Sequence, residues 1–171
     1  MTRPSNGVRR GVVFLMPLVI FALTLDRARP AASAAMSSTV GGAADYDAER
    51  QSCVDVTNRF RQKVALTPLT RSSVLEEYAD AAAKNDGTSH LSHQYFKRLR
   101  GRRPSVGENE LPWWSLSDNS TVAQLIQTGI EMMWQEGPGG GHYRNLAGPF
   151  KELGCGIYVH GDEVTVVQAF K

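Results

Sequence analysis

The chain has 171 residues, 42% of them apolar and 21% charged, so it can bury a core and is too polar for a protein of several membrane spans. Its 8 Pro, 16 Gly and 2 Cys exclude the collagen-like and disulfide-knot classes. The net charge of +2 hides an asymmetry, because residues 1–34 hold five Arg and one Asp and leave 14 basic and 16 acidic residues in the remainder. A slightly acidic body gives no reason to expect nucleic acid as a partner.

The first 34 residues have the pattern of an export signal. Basic residues precede an apolar run at 11–25, and small residues at 32–34 suit cleavage. The run is short for a membrane span, which needs about 20 residues, and the alternative is an uncleaved N-terminal anchor formed by the same run. Both interpretations predict a body outside the cytoplasm, secreted, extracellular or periplasmic, with a mature N-terminus near Ala35 if the signal is cleaved.

Residues 35–45 have the composition of a flexible linker, and the folded domain is expected at 46–171. Apolar residues at spacings of three and four predict a first helix over Asp47 to Val64. A capping-box pattern at 73–76 opens a second helix that stops near Gly87. A third helix, capped by Ser120 or Thr121, ends at 137–138.

The C-terminal residues change from a helical to a strand-like period. Two runs, 156–160 and 164–170, flank Gly161-Asp162, which predicts a β-hairpin. Helices followed by an antiparallel hairpin indicate an α+β domain.

The two cysteines lie far apart in sequence, Cys53 in the first helix and Cys155 at the start of the hairpin. Export permits a disulfide between them. Closing a loop of about 100 residues is worth about 4.7 kcal/mol in the chain-entropy treatment. The alternative is a pair of unbonded, buried thiols.

Residues that bind metals concentrate between 90 and 145: His90, His93 and His142, with Glu108 and Glu136 on separate segments. Two neutral imidazoles and a carboxylate suit Zn²⁺ with water in an open position, and a second Glu that orients this water would make a hydrolase. Alternatively, the Glu and His side chains pair and brace the loops. The sequence has no Gly-x-Ser-x-Gly elbow, phosphate-binding glycine loop or Cys-x-x-Cys, so no catalytic nucleophile is assigned.

The order of the motifs resembles the CAP superfamily, the group of cysteine-rich secretory proteins, antigen 5 and pathogenesis-related proteins, also called SCP domains. The resemblance covers about 46–171. It is carried by Ser-His after an Ala-rich helix, Gly107-Glu108-Asn109, a helix ending in Trp plus Glu, Gly141-His142-Tyr143-Arg144-Asn145, Gly-Cys-Gly and a closing Val-Gln-x-Phe. It implies an α-β-α sandwich, with a small antiparallel sheet between helical layers and a surface cleft that holds two His and two Glu.

Carried onto this sequence, the resemblance implies a cleft with four principal side chains and several supporting ones. The principal residues are His90, Glu108, Glu136 and His142, and the supporting residues are Asn109, Tyr143 and Asn145. The first histidine stays open between His90, ranked first for its Ser-His context, and His93. The spacing of the two also allows both rings on one helical face.

The function expected from these residues is a secreted module that binds a divalent metal, Zn²⁺ first, and also a lipid or sterol, as the resemblance implies for some members. The alternative is a metal-assisted extracellular hydrolase. A third interpretation is a structural or partner-binding exoprotein whose cleft is vestigial.

Two further segments suggest partners. A basic run could bind anionic lipid headgroups or polyanions, or it is a solvated loop; it comprises Lys97, Arg98, Arg100, Arg102 and Arg103. Trp113 and Trp114 follow Glu108 closely and could line the cleft or contact a lipid, or they pack in the ordinary way.

Overall fold

The structure, a computed structural model, describes residues 46–116 and 121–171. The predicted signal or anchor at 1–34 and the linker at 35–45 lie outside the described residues. Within residues 46–116 and 121–171, no helix is long and apolar enough to cross a bilayer. The elements in chain order are α1 (Asp47–Lys63), β1 (Thr70–Arg71), α2 (Ser73–Ser89), α3 (Gln94–Arg98), β2 (Gly107–Ser115), α4 (Val122–Gln135), α5 (Gly141–Leu146), β3 (Glu152–His160) and β4 (Glu163–Phe170).

The four strands form one sheet in the order β1-β3-β4-β2. The predicted hairpin is β3 and β4, which pair antiparallel across a turn with Gly161 at φ +64°. β2 pairs antiparallel with β4, whereas the two-residue β1 runs parallel to β3. The sheet is therefore mixed and not wholly antiparallel as predicted. The long connection between β1 and β3, which begins with α2, returns the chain to the end of the sheet where β1 started, so the two strands run in the same direction.

Helices cover both faces of this sheet, as an α-β-α sandwich requires. Side chains alternate along β4, so that Val164, Val166 and Phe170 join the core on the side of α1 and α4. Val167 and Ala169 face α2. Each strand of the hairpin thus contributes to two hydrophobic clusters, one on each face.

α2 lies unusually close to β3. A Cβ at Gly156 would stand 2.0 Å from the backbone carbon of Ala79, and one at Gly154 would stand 2.3 Å from that of Leu75. Only glycine permits this approach, which explains why Cys155 has a glycine on either side.

On the opposite face of β3, Cys155 is bonded to Cys53 of α1. The predicted disulfide is confirmed, and it ties the first helix to the centre of the sheet across 102 residues of sequence. Both cysteines are fully buried.

The three predicted helices are confirmed, but the start of α2 differs from prediction. Its N-cap is Ser72, which puts Leu75 rather than Glu76 at the third helical position, so no capping box forms. Glu76 accepts a hydrogen bond from Arg71 Nε at 2.5 Å. The cap of α4 is Thr121, whose Oγ1 accepts from Gln124 N at 3.1 Å.

The buried Arg61 of α1 positions α5. Its Nη1 donates to the carbonyl oxygens of Leu146 and Gly148 at 2.8 and 2.9 Å, and its Nε donates to that of Thr67 at 2.9 Å. Burial lowers the pKa of this guanidinium. These bonds hold the end of α5, the helix that begins with the Gly-His-Tyr motif.

Candidate functional site

Two acidic residues of β2 point to the same face of the sheet. Glu108 lies opposite Ala169 and Glu110 opposite Val167, both on the α2 side. Residues i and i+2 of a strand share a face, so both carboxylates reach the same place. Their side chains are only 1% exposed. The Gly107-Glu108-Asn109 motif is thus part of a buried strand.

His93 meets these carboxylates from the connection between α2 and α3. Its Nδ1 is 2.9 Å from Glu108 Oε1 and 3.7 Å from Glu110 Oε2. Its backbone N donates to Glu110 Oε2 at 2.7 Å. His93 has φ +59°, and this left-handed conformation turns the chain into α3. We call His93, Glu108 and Glu110 the inner cluster.

Burial changes the proton affinities of the inner cluster. It raises the pKa of Glu110 to about 7, although the hydrogen bond from the His93 backbone N acts in the opposite direction. Burial also raises the pKa of Glu108, although the hydrogen bond with His93 opposes this shift. The pKa of His93 is raised, chiefly by its hydrogen bond to Glu108. The nearby Asp86 raises the pKa of both glutamates.

Tyr78 of α2 completes the inner cluster's surroundings. Its hydroxyl donates to Glu108 Oε2 at 3.4 Å. The pKa of Tyr78 is raised, chiefly by burial and secondly by the charge of Glu108, so the hydroxyl keeps its proton and remains a donor. Sequence reasoning missed both Tyr78 and Glu110. The i, i+2 spacing of Glu108 and Glu110 was the available signal once 107–115 is taken as a strand.

A second pair lies at the end of α4 and the start of α5. His142 Nδ1 is 2.5 Å from Glu136 Oε1, and the backbone N of His142 donates to Oε2 at 3.1 Å. The hydrogen bond from His142 lowers the pKa of Glu136. A Cβ at Gly140 would stand 2.3 Å from Glu136 Cβ, so glycine at this position lets the carboxylate fold back onto α5. We call Glu136 and His142 the outer pair.

His93 and Glu108 of the inner cluster and both residues of the outer pair line one open depression of about 430 Å³. Its wall comprises His93, Glu108, Glu136, Gly141, His142, Arg144 and Asn145. The outer pair is about one third exposed, whereas the glutamates of the inner cluster are almost completely buried. The depression therefore has a buried acidic side and a solvated side.

Asn109, Tyr143 and Asn145 connect the elements around the depression. Asn145 Nδ2 donates to Glu108 O at 2.9 Å and to Asn109 Oδ1 at 2.8 Å, while Asn109 Nδ2 donates to His142 O at 3.3 Å. The ring of Tyr143 packs on Trp134 with centroids 4.5 Å apart. These contacts join β2, α4 and α5.

His90, the first-ranked histidine, lies outside the depression. Its Nε2 is 3.0 Å from Glu163 Oε2, and its ring meets the ring of Trp113 edge-on at 5.3 Å. The backbone separates the two histidines, since His90 has φ +51° as the C-cap of α2 and His93 has φ +59° as the N-cap of α3. Neither residue is helical, so the two rings do not share a helical face, and the alternate histidine His93 occupies the cleft.

The two tryptophans after Glu108 are partly buried. Trp113, at φ +53° in an irregular part of β2, donates from Nε1 to Asp86 O at 3.2 Å. Trp114 packs against the core on the α1 and α4 side. Both rings are used in packing, which leaves less surface for a lipid than the sequence suggested.

The basic run lies in and after α3, and its members differ in what they contact. Arg98 donates to Asn85 Oδ1 at 2.9 Å, and Arg103 lies 3.6 Å from the ring of Phe96. Arg100 and Arg102 are exposed.

The inner cluster has the composition of a metal site. Single ligand atoms of His93, Glu108 and Glu110 lie within 4.8 Å of one another. In residues 46–116 and 121–171 no other group of three His, Cys, Asp or Glu comes so close together. When both are ionised, these two buried carboxylates carry more negative charge than His93 alone balances, and a bound cation would offset it.

Comparison with known proteins agrees with this combination of fold and site. A layered α-β-α domain with two His–Glu groups in one depression is of the CAP type, and residues 54–170 match the model of the cysteine-rich secretory protein family. The chain belongs to this family, the CAP family. No curated protein sequence matches it.

Solved structures share the fold at low sequence identity. Na-ASP-1 superposes with a TM-score of 0.54 at 20% identity over 72% of this chain and 38% of its own. A structure of NaASP2 with Zn²⁺ superposes with a TM-score of 0.56 at 18% identity, over 72% of this chain and 79% of its own. Schistosoma mansoni venom allergen-like protein 4 superposes with a TM-score of 0.53 at 17% identity, over 71% of this chain and 86% of its own. This chain thus spans well under half of Na-ASP-1 and most of the other two.

Proposed function

We propose that the chain is an extracellular CAP domain whose cleft binds a divalent metal ion, with Zn²⁺ as the first choice. The observation that carries the proposal is the contact between His93 Nδ1 and the buried carboxylate of Glu108, 2.9 Å apart in the wall of an open depression. Imidazole nitrogen with carboxylate oxygen is a common ligand set for zinc.

Two further observations support a metal. The structure of NaASP2, a protein of the same fold, was solved with Zn²⁺. The inner cluster is acidic and buried, so a cation would relieve the repulsion between Glu108 and Glu110. When bound, the ion would supply a Lewis acid at the floor of the depression.

The neighbouring residues hold this arrangement ready for the ion. Tyr78 donates to Glu108 Oε2, and Asn145 donates to the backbone oxygen of Glu108. Partners of this kind orient ligands and raise affinity, typically by 10- to 100-fold.

The extracellular location is supported by the disulfide, since cross-links of this kind persist in oxidising compartments. The signal at 1–34 remains a prediction. Mass spectrometry of the exported protein should find an N-terminus near Ala35, whereas an intact Met1 in the membrane fraction would favour the anchor.

The alternative function, a metal-assisted hydrolase, rests on the outer pair. His142 and Glu136 are solvated, hydrogen-bonded to each other and open to the same depression, so they could exchange a proton with a bound substrate. A panel of peptide and ester substrates, assayed with and without chelator, separates the two functions. Chelator-sensitive turnover that disappears in a His142→Ala variant would favour the hydrolase.

A second surface suits an anionic partner, as the basic run predicted. Arg100 and Arg102 are exposed, and Leu91, which is 53% exposed, lines a shallow pocket together with Lys97 and Arg98 of the same run. Charge beside exposed apolar side chains fits an anionic lipid surface better than a soluble sterol bound at the half-buried tryptophans. Vesicles with phosphatidylserine should sediment the wild type at low salt and not an Arg100→Glu, Arg102→Glu variant.

The metal proposal is tested by calorimetric titration of chelator-treated protein with Zn²⁺. We expect about one ion per chain, and affinity that falls below about pH 6.5 as imidazole becomes protonated. Glu108→Gln should abolish the heat, and His160→Ala, on β3 outside the depression, should leave it unchanged. Wild-type protein that gives no heat and no change in melting temperature at millimolar Zn²⁺ would refute the proposal.

A further inference from the structure

The turn that follows α3 exposes two arginines on an open stretch of backbone. Arg100 and Arg102 are exposed, and within the described residues neither guanidinium takes part in a hydrogen bond or an ion pair. Gly101 between them has φ +80°, and a Cβ at this position would meet nothing within 4 Å. Another protein therefore has access to both the side chains and the backbone of this turn.

The carbonyl groups of the two arginines are also accessible. The backbone N of Arg102 donates to Leu99 O at 2.8 Å, and that of Arg100 donates to Lys97 O at 3.4 Å. Within the part of the chain that the structure describes, the carbonyl oxygens of Arg100 and Arg102 accept no hydrogen bond. A protease binds the carbonyl oxygen of the bond that it cleaves with its own hydrogen-bond donors. These two carbonyls need not leave another partner first.

The other described arginines are held by secondary structure or by packing. Arg103 lies in neither a helix nor a strand, but its guanidinium is 3.6 Å from the Phe96 ring and its Nη1 donates to Phe96 O at 3.3 Å. The bond after Arg103 leads to Pro104, which has no N–H and a fixed φ. The remaining six in 46–116 and 121–171 lie in helices or in β1: Arg50, Arg59, Arg61, Arg71, Arg98 and Arg144.

Arg100 and Arg102 are thus the described arginines that a protease reaches with the least local unfolding. Exposed loop tips with small or polar residues are preferred sites of proteolytic cleavage. A protease with an acidic specificity pocket selects the arginine that precedes the cleaved bond.

We propose that the turn at 99–103 is a processing site for an arginine-specific extracellular protease, with Arg100–Gly101 as the first bond cleaved. The bond after Arg102 follows more slowly, because Arg103 on its far side is anchored to Phe96. Hydrolysis adds one water molecule across the peptide bond, so Arg100 ends in a carboxylate and Gly101 begins with an ammonium group. The inference rests on the proposed extracellular location and is independent of the metal site.

The disulfide keeps the cleaved protein in one piece. Cys53 precedes the turn and Cys155 follows it, so their bond joins the two fragments covalently. The cut falls between α3, which ends at Arg98, and β2, which begins at Gly107, and it interrupts no element. The product is therefore a folded, two-chain, disulfide-linked form of the domain.

Cleavage also divides the inner cluster between the two chains. His93 stays with α3 on the first chain, and Glu108 and Glu110 are on the second. The five-residue α3 then has a free C-terminal end, and it is retained by packing of Tyr95 and Phe96 on the cluster beneath α2. We expect cleavage to loosen α3 and to leave the sheet intact.

Limited digestion of the exported protein with an arginine-specific endoprotease tests the site. The wild type should give two fragments after reduction and one disulfide-linked species without it, with a new N-terminus at Gly101. Only cuts within 46–171 are scored, because residues 1–34 hold further arginines. A first cut elsewhere in 46–171, or no cut under conditions that digest the unfolded chain, would overturn the inference.

A lysine variant separates the requirement for arginine from the requirement for charge. Arg100→Lys with Arg102→Lys keeps both charges and should slow the first cut about tenfold or more, because the remaining arginines need local unfolding. Arg59→Lys, at an exposed position of α1, is the matched control and should leave the rate unchanged. Equal rates for the lysine variant and the wild type would overturn the assignment.

Hydrogen exchange tests whether the cleaved wild type is a stable two-chain protein. Exchange should accelerate in α3 and stay slow in β3 and β4. Loss of protection in both strands would contradict a stable product.

Protein recovered from the cells that produce it naturally tests whether the site is used. Mass spectrometry should find the disulfide-linked form that begins its second chain at Gly101, and an inhibitor of arginine-specific proteases should remove this form. Recovery of the uncleaved chain alone would overturn the processing role. These measurements do not depend on Zn²⁺, so failure of the metal proposal and failure of this inference are distinguishable.

Discussion

The backbone N of His93 donates to Glu110 Oε2 at 2.7 Å, which fixes a loop between two helices onto the central sheet. The same glutamate shares a face of β2 with Glu108, the partner of the His93 ring. One strand therefore holds both the backbone and the side chain of His93. The site is ordered by protein contacts before any ion binds.

The inner cluster should make the metal-free protein less stable as pH rises from about 5 to 8. Glu110 has a pKa of about 7 when folded and near 4.3 when unfolded, so the folded state binds more protons in this window. The raised pKa values of Glu108 and His93 act in the same direction, because stability from protonated His93 is lost as pH rises through its folded pKa.

Urea midpoints measured with EDTA at pH 5 and pH 8 check this dependence. Glu110→Gln should reduce this dependence, since the amide does not titrate, and leave the part that comes from Glu108 and His93. The pKa of Glu136 is lowered, so this residue affects stability only at pH values near and below the ordinary pKa of a glutamate. It therefore does not contribute to the change between pH 5 and pH 8. A midpoint that increases from pH 5 to 8 would contradict the assignment of these shifts.

His93→Ala should lower Zn²⁺ affinity at least tenfold, whereas His90→Ala should change it less than twofold. The reason is position, since His90 pairs with Glu163 on the surface and His93 with Glu108 in the depression. Parallel calorimetric titrations compare the two variants. Greater loss with His90→Ala would restore the ranking suggested by sequence.

The disulfide should be a major source of stability. Loop-closure entropy for about 100 residues gives about 4.7 kcal/mol, and measured losses on removing a native disulfide are about 2–5 kcal/mol. Replacing Cys53 and Cys155 together by Ala should lower the free energy of unfolding within that range, measured by urea denaturation. A loss below about 1 kcal/mol would show that packing of α1 alone fixes its position.

Gly156→Ala should destabilise the fold by at least about 1–3 kcal/mol, the usual cost of overpacking. The new methyl group would press on the backbone of Ala79, which cannot rotate away as a side chain could. Gly139→Ala is the matched control, since a Cβ there meets nothing within 4 Å. Thermal melts that fall equally for both variants would argue against the close approach of α2 and β3.

The sequence was sufficient for the features that depend on local periodicity. The helix of Cys53, the cap at Thr121 and the hairpin around Gly161 follow from residue spacing and turn chemistry, and all are present. The sandwich and the disulfide, which needed the family resemblance or the export context, are also confirmed.

The sequence was insufficient where a residue's role depends on a partner distant in the chain. Gly107 and the alternating polar residues concealed β2, because its burial comes from pairing with β4 and not from an apolar pattern. Glu110 could not be distinguished from a surface acid for the same reason. His90 and His93 point to different places because both have left-handed backbone conformations, which turn the chain between α2 and α3. The spacing of the two histidines in the sequence does not reveal these conformations.

The most direct test of the metal site is a crystal structure of the zinc-soaked protein with anomalous data collected on both sides of the zinc edge. The account predicts an anomalous peak in the depression, within coordination distance of His93 and Glu108. A peak bound only by Glu136 and His142, or no peak in the depression at a zinc concentration that saturates binding in solution, would contradict it.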